Sequence, residues 1–246
     1  MKTENLQCRH NRASLICVRN LCACYSASGV QENKILQNVN FDLFAGECLG
    51  LVGESGSGKS TIARVLVGAP VSHTGTIWYA PDAGKSRLEF CRWVQLITQS
   101  PHTALDPMWT VFKTLKEPLQ IHRKISREGV RDEVENLLAA VHLSKDVMGR
   151  KPAELSGGQK QRIAVARALA VRPRVLICDE IISALDSCVR HEILELLQSL
   201  RASRGLTLLF ISHDIPAVEF LSDRIIMLED GRIRTFRGES KWSARS

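Results

Sequence analysis

No stretch of this chain is apolar for the roughly 18–20 residues that crossing a bilayer takes. The opening segment, MKTENLQCRHNRAS, is polar and lacks the apolar centre of a secretory signal. Both absences argue for a chain that works on the cytoplasmic side. Cysteine is present, with 8 in 246 residues, but no CxxC pair occurs and no Cys/His quartet falls at zinc spacing. Neither a disulfide framework nor a structural metal is expected, and the thiols read as reduced. No internal repeat or low-complexity linker divides the chain. The formal net charge of +7 comes from Lys and Arg interleaved with acids rather than gathered in one block. That pattern reads as a solvated surface, not a nucleic-acid footprint.

What is present is an alternation of short apolar runs with helical patterns. Residues 15–28 and 35–44 read as strands, the second through Leu36, Val39, Phe41 and Leu43. CLGLVG at 48–53, RVLIC at 174–178 and TLLFIS at 207–212 are unbroken apolar runs, the mark of strands buried on both faces. Helical segments separate them, which predicts an α/β core with a parallel sheet. Between Pro101 and Pro152 the β signal fades. There Val130, Val134, Leu137, Leu138 and Val141 recur at helical spacing, with Ser126 as the expected cap. A helical insert at about 101–155 is expected. Asp230-Gly231 marks a hairpin near the end.

GESGSGKST at 53–61 fits the phosphate-loop pattern G-x-x-x-x-G-K-[ST], after a strand and before a helix. Glycines let backbone N–H groups close around phosphates. Lys59 then reaches the β- and γ-phosphates, and Ser60 offers a hydroxyl to Mg²⁺. VLICDE at 175–180 delivers two carboxylates to the end of a buried strand, where open α/β sheets bind ligands. Asp179 is placed for Mg²⁺ and Glu180 to polarise an attacking water. ISHD at 211–214 ends a third strand, with His213 near a γ-phosphate. ELSGGQKQR at 154–162 is a second Ser/Gly turn opening a helix, an anion site with no lysine of its own.

GESGSGKST, Gln99, LSGGQ, ICDE, SALD and ISHD, in this order and spacing, resemble the ATP-binding cassette ATPases of ABC transporters, over roughly residues 15–235. The resemblance implies a P-loop NTPase core with a parallel sheet, an N-terminal antiparallel β subdomain and a helical insert, flanked by polar tails at 1–14 and 236–246. It implies ATP and Mg²⁺. The nucleotide site would comprise Tyr25 on the adenine, Gly53, Glu54, Ser55, Gly56, Ser57, Gly58, Lys59, Ser60 and Thr61 around the phosphates, and Ser60, Gln99 and Asp179 at the metal. Glu180 would be the general base, His213 the switch residue and Gln99 the sensor of Mg²⁺ and water. Ser156, Gly157, Gly158 and Gln159 would cap the γ-phosphate of a second ATP-binding subunit, with Asp186 in the loop that crosses between subunits. One departure stands out: Ile181-Ile182 occupies the place of the family's usual Pro-Thr, for which an altered loop stiffness is expected.

The stretch QSPHTALDP after Gln99 resembles the oligopeptide/dipeptide/nickel import branch. Nickel or a metal–opine complex is the expected cargo, and a dipeptide or oligopeptide is the alternative. A soluble cassette acting on nucleic acid or ribosomes is the remote one. The implied partners are two permeases, a second ATP-binding subunit (identical or, favoured here, different) and, indirectly, an extracytoplasmic substrate-binding protein, at the cytoplasmic face of the inner membrane.

Overall fold

The computed structural model describes residues 13–25, 33–99, 105–126 and 128–235. Two sheets form it. The smaller is antiparallel, in the order β2-β1-β4, from β1 (Ser14–Tyr25), β2 (Asn33–Phe44) and β4 (His73–Tyr79). The larger runs β5-β6-β7-β3-β8-β9, from β3 (Cys48–Val52), β5 (Val94–Ile97), β6 (Val175–Asp179), β7 (Thr207–Ile211), β8 (Arg224–Glu229) and β9 (Arg232–Thr235). It is parallel except for β9, which folds back on β8.

The central strands are apolar throughout because each side chain faces one of two cores. Leu49 and Leu51, Val175 and Ile177, Leu209 and Ile211 point into the core shared with the antiparallel sheet. Their neighbours Cys48, Leu176, Cys178, Leu208 and Phe210 point into the core under the helical layer. This two-residue alternation covers both faces. Each fully buried Leu or Ile contributes about 1.5–3 kcal/mol by leaving water.

The spacing in β2 breaks its own alternation between Leu36 and Val39. The structure shows a bulge there. Asn38 and, opposite it, Asn20 both adopt a left-handed backbone (φ 53° and 52°). Asparagine tolerates this conformation better than other side chains. Asn40 holds the bulge by accepting from the Asn20 N–H at 2.9 Å and donating to the Asn38 carbonyl at 2.6 Å. At the other end, Asp230 (φ 48°) and Gly231 (φ 70°) make the expected hairpin turn, and Gly231 accepts from the Gln37 N–H at 2.8 Å. That turn rests on β2, so no side chain fits at Gly231: a Cβ would lie 2.4 Å from the Ile35 carbonyl oxygen.

The helices are α1 (Lys59–Leu66), α2 (Arg87–Trp93), α3 (Val111–Arg123), α4 (Val130–Ala140), α5 (Gly157–Leu169), α6 (Ser187–Arg204) and α7 (Ile215–Leu221). Among the described residues none is long and apolar enough to cross a membrane. No strand occurs among the described residues between 105 and 155, so this stretch is helical as expected. Two details correct the sequence reading. Ser126 does not cap α4: the cap position is Gly129, whose N–H Ser126 receives at 3.4 Å. The individual helix α3 is a second: Thr110 caps it and Val111, Leu115 and Leu119 recur every fourth residue, with Pro118 interrupting the pattern.

Cys17, Cys22, Cys24, Cys48, Cys91, Cys178 and Cys188 are free thiols; Cys8 lies outside the described residues. Burial pushes the Cys48 thiol up to about 12 and the Cys178 thiol higher still. Alkylation of the native chain at pH 8 should therefore label exposed Cys188 and leave Cys48 and Cys178 intact until the chain unfolds, because the thiolate is the nucleophile. Peptide mapping of labelled protein reads this directly. Prompt labelling of Cys178 would contradict the buried placement of β6.

Candidate active site

The loops after β3, β6 and β7 meet at the C-terminal edge of the parallel sheet. The first follows β3. Gly56 (φ 83°) and Gly58 (φ 105°) turn the chain through conformations that L side chains rarely adopt, and α1 starts directly after them. A Cβ on Gly58 would come within 2.8 Å of Leu36 Cδ2 and 2.9 Å of Ile35 Cγ2. The loop therefore keeps a bare backbone pressed against β2. Lys59 is buried beneath it. Its ammonium donates to the carbonyls of Gly53 and Glu54, both at 2.8 Å, and lies 3.8 Å from Glu180 Oε1.

The second loop follows β6. Asp179, its last residue, is buried and hydrogen-bonded to the Ser60 side chain. Burial raises its carboxyl above the usual range; the Ser60 bond opposes this and the neighbouring Glu180 charge adds to it. Its Oδ1 has no hydrogen-bond partner. An orphaned, desolvated carboxylate oxygen beside a serine hydroxyl is a pair of hard oxygen donors, the kind Mg²⁺ takes while keeping several waters. The residues present fit that ion.

The raised carboxyl has a stability consequence with a definite sign. An ionised group held at raised pKa costs the fold free energy as pH climbs past the unfolded carboxylate value of about 3.9. Asp179→Asn removes that charge. Without nucleotide and in EDTA, the variant should melt higher than the parent at neutral pH, and the gain should vanish as pH falls to about 4. A lower melting temperature at pH 7 would contradict it.

Glu180 follows in a left-handed backbone conformation (φ 55°). For a non-glycine residue this costs on the order of 1–3 kcal/mol and persists where the surroundings enforce it. Here the Glu180 N–H donates to the Ile211 carbonyl at 2.9 Å, and Ser183 Oγ donates to the Glu180 carbonyl at 2.9 Å. The side chain is thereby turned out of the strand direction and over the phosphate loop.

The third loop follows β7. His213 Nδ1 lies 2.8 Å from Glu180 Oε2. Asp214 then caps α7, accepting from the Ala217 N–H at 3.1 Å, and pairs with Arg190 at 2.6 Å. A cleft of about 1080 Å³ opens beside these groups, lined by Gly53–Ser57, His213 and the Asp230-Gly231 turn. This last wall was not legible beforehand, since the turn gave no sign beyond its hairpin geometry.

Other expected site residues fall as follows. Gln99 is exposed, two residues past β5. Ile97 pairs with Cys178, so Gln99 emerges on the same edge as Asp179 and Glu180. Thr61 is buried in the first turn of α1. Tyr25 ends β1 opposite Asn33, and its side chain lies outside the described residues. Asp186 caps α6, accepting from the Val189 N–H at 3.0 Å. Ile181 and Ile182 are buried in the core under the helical layer.

The Ser156–Gln159 turn does not line the phosphate-loop cleft. It closes on itself in a capping box. Ser156 Oγ accepts from the Gln159 N–H at 3.2 Å, and Gln159 Oε1 accepts from the Ser156 N–H at 3.1 Å. The N–H groups of Gly157 and Gly158, in the first turn of α5, have no carbonyl within the helix to take. The two glycines differ. A Cβ on Gly158 would meet Val189 Cγ1 at 2.5 Å, whereas on Gly157 it would meet only Leu185 Cδ2, at 3.9 Å. Gly158 is packed against α6, and Gly157 is the open position.

The sequence pattern of the family described as ABC transporter matches residues 36–183. The chain belongs to that family. Among its curated relatives, the oligopeptide transport ATP-binding protein OppF of Streptococcus mutans is 40% identical over 91% of this chain and 74% of its own length. OppF of Bacillus subtilis is 41% identical over 81% of this chain and 68% of its own. The glutathione import ATP-binding protein GsiA of Salmonella paratyphi A is 43% identical over 82% of this chain, which spans 33% of that longer protein. These relatives agree with the oligopeptide/dipeptide/nickel import branch. Among solved structures, the dimeric ATP-binding cassette MJ0796 in a post-hydrolysis state with ADP and Pi superimposes with a TM-score of 0.78, at 29% identity, over 91% of this chain and 100% of that one. CbiO1 of Clostridium perfringens, part of the transporter complex CbiONQ, reaches 0.77 at 26% identity over 90% of this chain and 87% of its own. This cassette is accordingly an ABC-type ATPase, and its two-sheet architecture with a helical layer is that of the family.

Proposed function

We propose that this cassette is the ATP-hydrolysing subunit of an importer of small peptides, working at the cytoplasmic face of the inner membrane. The observation that carries the cargo is the set of relatives: the OppF proteins, matched over 74% and 68% of their own length, are oligopeptide transport ATP-binding proteins. The expected nickel or metal–opine cargo finds no support among them and gives way to the peptide alternative. In this reading residues 15–235 are one nucleotide-binding domain with the insert at about 101–155, and 1–14 and 236–246 are polar tails. It joins a second cassette, two permeases and, through them, a substrate-binding protein.

The chemistry assigned to the chain follows from the contacts. The phosphate-loop backbone surrounds the phosphates. Lys59 exchanges the carbonyls of Gly53 and Glu54, and its neighbour Glu180, for β- and γ-phosphate oxygens. Ser60, Asp179 and Gln99 would hold Mg²⁺, which when bound offsets negative charge on the phosphates. Glu180, released from Lys59, accepts the proton of the attacking water. His213 donates Nδ1–H to the Glu180 carboxylate and fixes its direction. Tyr25 would stack on the adenine. Ser156–Gln159 of each cassette would close the γ-phosphate of the other through the two free glycine N–H groups and the positive end of α5.

The cargo is tested by reconstituting the cassette with its permeases in vesicles and measuring ATP-driven uptake. Labelled di- to pentapeptides should accumulate and Ni²⁺ should not. Uptake of Ni²⁺ with no peptide uptake would overturn the peptide reading while leaving the ATPase assignment standing.

A further inference from the structure

A second charged concavity lies at the opposite end of the parallel sheet, where the helical layer meets the strand starts. It holds about 450 Å³, within the size range of small-molecule sites. Leu137 of α4, Leu169 at the end of α5 and Leu206 before β7 give it an apolar floor, and Arg172, Arg174 and Arg204 stand at its rim. Arg174 immediately precedes β6 and Asp179 ends it, so the pocket is about 15 Å from the phosphate loop's partners. It is not part of the nucleotide site.

The rim is held in place. Arg172 sits in a left-handed conformation (φ 56°), its N–H bonded to the Leu169 carbonyl at 2.9 Å. The Arg174 N–H donates to Trp93 and its carbonyl accepts from Thr207. Arg172 reaches Glu133 Oε1 at 3.4 Å, an oxygen that Arg123 already occupies, and Arg174 reaches Asp82 at 3.4 Å. Arg204 has no side-chain partner among the described residues. Four guanidinium groups face two carboxylates, which leaves two positive charges around an apolar floor. That is the complement of a small dianion with an apolar body.

We propose that this pocket binds a small organic phosphate monoester, its dianionic head held by Arg172 and Arg204 and its apolar body on Leu137, Leu169 and Leu206. Guanidinium groups match phosphate oxygens two at a time, and hydrogen bonds to charged groups are the stronger kind. The ligand would bridge α4, the loop after α5 and the end of α6. α5 carries the Ser156–Gln159 turn at its other end, so such a bridge bears on how that turn is presented.

The test uses the full chain carrying Lys59→Ala, so that the phosphate loop does not take up the probe. Calorimetric titration with phenyl phosphate should give one site with Kd below about 1 mM. Inorganic phosphate, which has the charge without the body, should bind at least about tenfold more weakly, as loss of that apolar contact implies. Arg204→Ala should weaken phenyl phosphate about tenfold or more, with Arg204→Lys between. Because the Arg204 side chain has no hydrogen bond or ion pair among the described residues, its removal should change the melting temperature little, which separates loss of the site from loss of the fold. No heat with phenyl phosphate, equal affinity for inorganic phosphate, or affinity unaltered in Arg204→Ala with Arg172→Ala would each overturn the proposal. So would binding to phosphatidate vesicles by a chain that ignores phenyl phosphate.

Discussion

In Glu180→Gln, steady-state ATP hydrolysis falls at least about 10²-fold while ATP binding is retained, the loss expected when a positioned base is removed. The amide keeps the size of the side chain and can still meet His213, so the left-handed turn should survive. What it cannot do is accept a proton. The carboxylate also sits 3.8 Å from Lys59 and 2.8 Å from His213, and replacing it frees Lys59 from an acidic partner. Nucleotide affinity should hold or rise for that reason, and ATP-bound dimers should accumulate. The measurements are single-turnover hydrolysis and equilibrium titration with labelled ATP on the assembled transporter. Hydrolysis at the parental rate would remove Glu180 from the role of base.

A mixed dimer with Gly157→Asp in one cassette and Lys59→Ala in the other keeps one complete site, whereas both changes in the same cassette leave none. Head-to-tail closure demands this result. A partner's γ-phosphate would approach the open first turn of α5, where the new carboxylate repels it at close range in a partly dry site. Gly157 is the position to change, since its added side chain meets nothing nearer than 3.9 Å. Gly158→Asp is a poorer probe: it collides with Val189 and would damage its own subunit's fold. In the isolated chain Gly157→Asp should leave ATP affinity unaltered. Hydrolysis by the arrangement with separated lesions should approach half the parental rate, and the other should fall to background. Equal rates from the two arrangements, or lost ATP binding in Gly157→Asp alone, would refute closure between subunits.

Much of this site was legible because its chemistry is written in contiguous segments. Residues 53–61, Asp179-Glu180 and His213 each follow an apolar strand, and parallel pairing of β6, β7 and β3 brings those strand ends to one edge. What escaped was whatever depends on contacts distant in sequence. Nothing in ELSGGQ distinguishes Gly157 from Gly158; the difference is Val189, contributed by another helix. Asp186 reads as an interface residue, yet its carboxylate is already engaged as a helix cap. The left-handed backbone at Glu180 depends on Ile211 and Ser183 around it. The cargo leaves almost no trace here, since the groups described are those assigned to phosphate and water.

Burial of Ile181 and Ile182 changes how the loop after Glu180 withstands temperature. The ring of the family's usual proline restrains φ covalently, and that restraint is the same warm or cold. Two isoleucines restrain the same segment by excluding water, a force that fades on cooling. This cassette has thereby exchanged a permanent brace for a thermally adjustable one. Cooling should loosen the grip on the residues just after Glu180 in a way that a proline ring would not allow.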